Sequence, residues 1–75
     1  MRTEKFTMER DILNVGDTVT ITESRLPRAY YYTAVPALAM SGNFTAENRI
    51  LSTTGKVTGK TTESGSWILD IEFEN

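Results

Sequence analysis

The residues Trp67-Ile68-Leu69-Asp70-Ile71-Glu72-Phe73-Glu74 alternate without a break. Trp67, Leu69, Ile71 and Phe73 form one series, and Ile68, Asp70, Glu72 and Glu74 the other. Successive side chains of a strand point to opposite faces, so this stretch specifies a β-strand with one buried and one wet face. Its pairing partner lies just upstream. Thr54 to Thr62 reads as the first arm of a hairpin, and Glu63-Ser64-Gly65-Ser66 as its turn, with Gly65 supplying a left-handed conformation. Gly55 and Gly59 inside the first arm mark a bulge or the close approach of another backbone.

The same alternation recurs earlier, where Val19 and Ile21 alternate with Thr18, Thr20 and Thr22. A turn precedes it at Asn14 to Asp17, with Gly16 in the position that needs a positive φ. Phe6 and Met8 lie two apart and fit a short edge strand. Thr7 capping a helical turn through Met8 to Asp11 fits as well. The core expected from these patterns is Leu13, Val15, Val19, Ile21, Val57, Trp67, Leu69, Ile71 and Phe73, with Leu38 and Phe44 added from the middle of the chain.

Between these two strand regions runs a long excursion, Arg25 to Ser52. Unstructured connections beyond about 12–15 residues are uncommon in compact domains and are usually functional or mobile. Pro36 can open a helical turn through Ala37 to Met40, and Thr45 can cap another through Asn48.

Composition narrows the function. Seventy-five residues make a single domain, 1–75, with one thin core. The chain has no cysteine and no histidine. Structural zinc sites of the usual Cys/His kind and Ser-His-Asp catalysis are thereby excluded, and a reducing, cytoplasmic setting fits. No apolar run is long enough to cross a membrane as a helix. The net charge of −2 speaks against a general nucleic-acid binder. The charge is uneven, however. Arg25 to Arg49 holds three arginines against one acid, while Glu63 to the end holds four acids and no base.

Val15-Gly16-Asp17-Thr18-Val19-Thr20-Ile21 and Gly55-Lys56-Val57, in this order around a long loop, resemble the strands of small SH3-like barrels. The resemblance implies an all-β barrel of four or five antiparallel strands with a long irregular loop, Phe6-Thr7-Met8 being placed to supply the last strand. It also implies that tyrosines of the long loop line a peptide groove. The alternative from pattern alone is an α+β domain, with Pro36 to Leu51 as a short helical layer on a three-stranded sheet.

Three constellations carry chemistry. Arg25, Arg28, Tyr30, Tyr31 and Tyr32, with Arg49, combine aromatic faces and cations that suit peptides or stacked bases. Packing of Tyr30 and Tyr32, or else of Tyr31, under the loop is the plainer reading of the aromatics. Asp70, Glu72 and Glu74 form a line of carboxylates about 6.6 Å apart along a strand, but on its wet face, where no burial raises a pKa for acid catalysis. If their strand is an edge, they discourage edge pairing. Gly59-Lys60-Thr61 echoes a phosphate-binding loop, yet Thr54 stands where that motif needs a glycine. Lys56 and Lys60 are expected on one surface of a strand. The function expected is a non-catalytic module that binds a protein or peptide through Arg25 to Ser52, with no cofactor, metal or membrane. The alternatives are a nucleic-acid accessory domain using the same loop with Lys56 and Lys60, and a structural homodimer.

Overall fold

The alternating stretches pair as strands around one core in a computed structural model, which describes residues 1–35 and 39–75. The strands are β1 (Arg2–Met8), β2 (Thr18–Arg25), β3 (Tyr30–Val35), β4 (Ala39–Ser41), β5 (Thr54–Glu63) and β6 (Ser66–Phe73). A single 3₁₀ turn, Ala46–Asn48, is the one helical element among the described residues. The strands close into an antiparallel barrel in the order β1-β4-β3-β2-β5-β6, with β6 returning to β1. The protein is thus a small all-β barrel of the SH3-like kind.

The excursion is where the strand count grows. Tyr30 to Val35 pairs with β2 from Arg25↔Tyr30 to Thr20↔Val35, and β4 bridges β3 to β1 through Thr33↔Met40 and Thr7↔Met40. The long irregular loop expected there is therefore two strands and a 3₁₀ turn, and the barrel has six strands. The helical layer expected as the alternative gives way to β4 and that turn. Of the proposed turn through Met40, Ala39 and Met40 are strand, while Pro36 and Leu38 lie outside the described residues. The N-terminal ambiguity resolves to a strand. β1 pairs with β6 from Arg2↔Phe73 to Met8↔Trp67, because Phe6 and Met8 complete the core on the same face as Leu69 and Ile71.

Of the expected core, Leu13, Val19, Ile21, Val57, Leu69, Ile71 and Phe73 are buried. Phe6, Met8, Tyr32, Ala34, Ala39 and Ile50 join them. Trp67 and Phe44 pack against this cluster half-buried. Val15 does not belong to it. The turn around it is tied by the Asp17 N–H to the Asn14 carbonyl (3.0 Å) and by the Asn14 N–H to the Asp17 carboxylate (2.9 Å), and Val15 is left 60 % exposed at its tip.

β5 shapes one end of the barrel. It pairs with β2 only at Thr54, Gly55 and Lys56, opposite Thr20, Val19 and Thr18. It then continues beside β6 to a two-residue turn in which Ser64 and Gly65 have φ of 50° and 85°. A β-bulge between Val57 and Gly59 shifts the register. Past the bulge Lys60 stands opposite Leu69, on the inner side, whereas Lys56 stands opposite Glu72 on the outside. The two lysines therefore do not share a surface, contrary to expectation, because one inserted residue flips the facing of all that follow. Lys60 Nζ instead closes the barrel end through an ion pair with Asp11 and a 3.0 Å hydrogen bond to Asn14. Since β5 leaves β2 at Thr18, the β2–β3 loop and the β5–β6 turn lie at opposite ends of the molecule.

Candidate binding site

The aromatic-basic constellation falls on the end of the barrel made by the β2–β3 hairpin. Alternation along β3 decides the tyrosines. Tyr32 and Ala34 face the core, with Tyr32 1 % exposed, and Tyr30 follows on the same side at the barrel mouth, packed half-buried against the cluster. Tyr31 turns outward, opposite Ser24.

Arg49 and Tyr32 meet at a residue that the sequence reading passed over, Glu23. The Tyr32 hydroxyl donates to a Glu23 carboxylate oxygen (2.8 Å), and Arg49 donates to both oxygens through Nε (3.0 Å) and Nη2 (2.8 Å). The same hydroxyl accepts the buried Ile50 N–H (2.9 Å). Arg49 also lies over the Tyr30 ring, 4.6 Å from its centroid. Arg2 donates to the carbonyls of Arg49 and Asn48 (both 2.9 Å) and sits 5.7 Å from the Phe44 centroid. Together these contacts latch the segment from Phe44 to Ile50 across the barrel mouth.

The electrostatics follow from the geometry. The hydrogen bonds from Arg49, then that from Tyr32, hold the Glu23 carboxyl below the usual carboxylate range. Burial, and next the Glu23 carboxylate, push the Tyr32 hydroxyl up. The hydrogen bonds to Glu23 raise the Arg49 guanidinium further. A bidentate, stacked arginine of this kind is committed to its own protein. Tyr32 and Arg49, both expected in the site, thus serve the fold.

Arg25 and Arg28 differ. Arg25 ends β2 opposite Tyr30, and Arg28 sits in the Leu26–Ala29 loop, closed by the Leu26 N–H to the Ala29 carbonyl (2.8 Å). Both are exposed and in no ion pair among the described residues. Arg25 shares the side of Tyr30, and the outer side of the hairpin is formed by Thr20, Thr22 and Ser24 on β2 against Val35, Thr33 and Tyr31 on β3, with Met40, 46 % exposed, beyond Thr33. This face carries no charge. At the roughly 25–35% charged residues of an ordinary surface, about two of seven positions would be ionised.

The other constellations are accounted for within the fold. Asp70 pairs with Lys5 (2.8 Å), and Glu72 stands opposite Lys56. Their strand, β6, lies between β5 and β1, so it is not an edge that the acids could protect. Gly59-Lys60-Thr61 lies within β5 at the bulge. Among the described residues no cluster of metal-ligating side chains occurs, and no helix is long and apolar enough to cross a membrane.

No family model, no curated protein and no solved structure matches the chain.

Proposed function

We propose that this barrel is a non-catalytic module of the cytoplasm that binds a protein or peptide through the exposed end of its β2–β3 hairpin. The observation that carries the reading is the pair Arg25 and Arg28, exposed and outside every ion pair among the described residues, at the tip of the hairpin, where Arg25 shares the face of Tyr30 and the opposite, charge-free face presents Tyr31. Guanidinium groups without internal partners are available to carboxylates or carbonyls of a partner that wraps the hairpin tip, and Tyr31 on the outer face contributes area at low entropy cost. Within the region first singled out, Arg25, Arg28 and Tyr31 carry the contact. Tyr30, Tyr32 and Arg49 shape the rim beneath it. The nucleic-acid reading gains nothing from Lys60, whose ammonium is engaged by Asp11.

The test is affinity capture followed by titration of the captured partner. Arg28→Ala and Tyr31→Ala should each weaken capture at least tenfold while leaving the thermal midpoint unchanged. Undiminished capture by both variants would remove the hairpin from the interface. A steep salt dependence with a labelled single strand would favour the nucleic-acid alternative instead.

A further inference from the structure

At the end of the barrel away from that hairpin, β5 carries backbone groups that no strand uses. The two-residue turn at Ser64 and Gly65 makes Glu63↔Ser66 a hydrogen-bonded pair. In an antiparallel ladder bonded and non-bonded pairs alternate, so Thr61↔Ile68 is bonded, while Thr62↔Trp67 and Lys60↔Leu69 are not. The N–H and C=O of Lys60 and Thr62 therefore point away from β6. Val57, which faces the same way before the bulge, spends both groups on the β1–β2 connection: its N–H donates to the Asp17 carbonyl (2.9 Å), and its carbonyl accepts the Gly16 N–H (2.8 Å). No such bond is made by Lys60 or Thr62 among the described residues.

We infer that this free edge of β5, at Lys60 and Thr62, is a strand-addition site for an extended, uncharged segment of another protein. Two donors and two acceptors at strand spacing are a template for one more strand. The devices that blunt an edge are aimed elsewhere. The Lys60 side chain is drawn inward by Asp11 and Asn14, and the bulge precedes the open stretch. Side-chain specificity comes from what flanks the edge. Lys60, Thr61, Thr62 and the half-buried Trp67 line a shallow depression. Ile12 and Val15, 47 % and 60 % exposed, stand on the connection that binds Lys60 and Val57. Ile12, Val15 and Trp67 suit β-branched or aromatic residues of a partner, and the charges of Lys60 and Asp11 beside them are spent on each other. A second copy fits less well. The open edge from Lys60 to Thr62 is three residues, about 10 Å long, too short by itself to seat a stable dimer, whereas a single strand brings no second body against the Asn14–Asp17 turn.

The probe is a capped heptapeptide of alternating threonine and valine, followed by amide hydrogen exchange on the full chain. At saturating peptide, exchange of the Lys60 and Thr62 amides should slow at least tenfold. Thr62→Pro deletes an outward donor at an edge position where proline is tolerated, and should weaken binding at least tenfold. Arg28→Ala should leave this binding unchanged, which separates the edge from the hairpin reading. Should Thr62→Pro fail to fold, the wild type with the same peptide N-methylated at alternate amides decides, and that peptide should not bind. Unchanged exchange at Lys60 and Thr62, or equal binding of the N-methylated peptide, would overturn the inference. So would protection that rises with protein concentration alone, which would make the occupant a second copy.

Discussion

Glu23 is the residue on which the barrel mouth turns. It continues the inward series of Val19 and Ile21, so β2 delivers a carboxylate to the side of the strand that faces the core. It stays exposed at the barrel mouth and takes three hydrogen bonds from Tyr32 and Arg49. Its folded pKa is depressed, so its contribution to stability is present above the unfolded value of about 4.3 and is lost as pH falls through the folded one. Tyr32 has the opposite sign. Its folded pKa is raised, so its contribution is complete below the unfolded value of about 10 and is lost as pH rises through the folded one. Glu23→Gln should flatten the acid limb of a stability–pH profile. Tyr32→Phe should flatten the alkaline limb. At neutral pH Tyr32→Phe should also cost about 1–3 kcal/mol, because the buried Ile50 N–H loses its acceptor. Urea unfolding from pH 3 to 11 checks both, and limbs as steep as the wild type's would show that the network does not operate. The acid was visible in the sequence at an inward position, but its partner Arg49 lies 26 residues away, and local alternation carries no information about that.

At the level of elements, the glycines of β5 were the informative signal. A Cβ on Gly55 would stand 2.5 Å from Phe73 Cε1 and 2.7 Å from Ile71 Cγ2, so the strand can cross the core only without a side chain there. On Gly59, at the bulge, the nearest atom would be Asp70 Oδ2 at 2.7 Å, the end of a side chain that can rotate. Gly55→Ala should destabilise by about 1–3 kcal/mol, as overpacking of a tight core does, and Gly59→Ala by less. Equal midpoints for the two variants in chemical denaturation would refute this difference in setting. The two glycines suggested a bulge or the close approach of another backbone; the bulge occurs, between Val57 and Gly59, while what crowds Gly55 is the side chains of Phe73 and Ile71. The facing of Lys60 was not legible, because a single inserted residue reverses it and the sequence does not say which residue is inserted. β3 and β4 were hidden for other reasons. Tyr30-Tyr31-Tyr32 has no polar–apolar alternation to mark a face, and three residues of β4 are too few to show a period.

For the whole molecule, the decisive contact is the seam between β1 and β6. Their pairing runs the full length of β1 and joins the first strand to the last, with Arg2 opposite Phe73. Phe6 and Phe73 meet across it with ring centroids 6.0 Å apart. The alternation in Trp67 to Phe73 demanded a covering partner, and β1 is half of the answer, supplied from the other end of the chain. Closure by such distant residues is slow, since loop-closure entropy is lost before the contacts form, and folding in milliseconds to seconds is expected. A circular permutant inverts the situation. Linking Asn75 to Met1 through a few glycines and serines, and opening the chain between Pro27 and Arg28 in the exposed β2–β3 loop, makes β6–β1 a local hairpin and β2–β3 the distant pair. Every strand and the Glu23 network remain intact, because the cut falls outside both. The permutant should fold with the wild-type near-ultraviolet spectrum of Trp67 and the tyrosines, and should keep the β5 edge while losing the order of the loop that positions Arg28. Deleting residues 1–8 instead strips Phe6 and Met8 from the core and leaves β4 and β6 each with one neighbour instead of two, and that chain should be unfolded at 25 °C. A permutant without a cooperative thermal transition, or a truncated chain with one, would show that the barrel is not held shut by this seam.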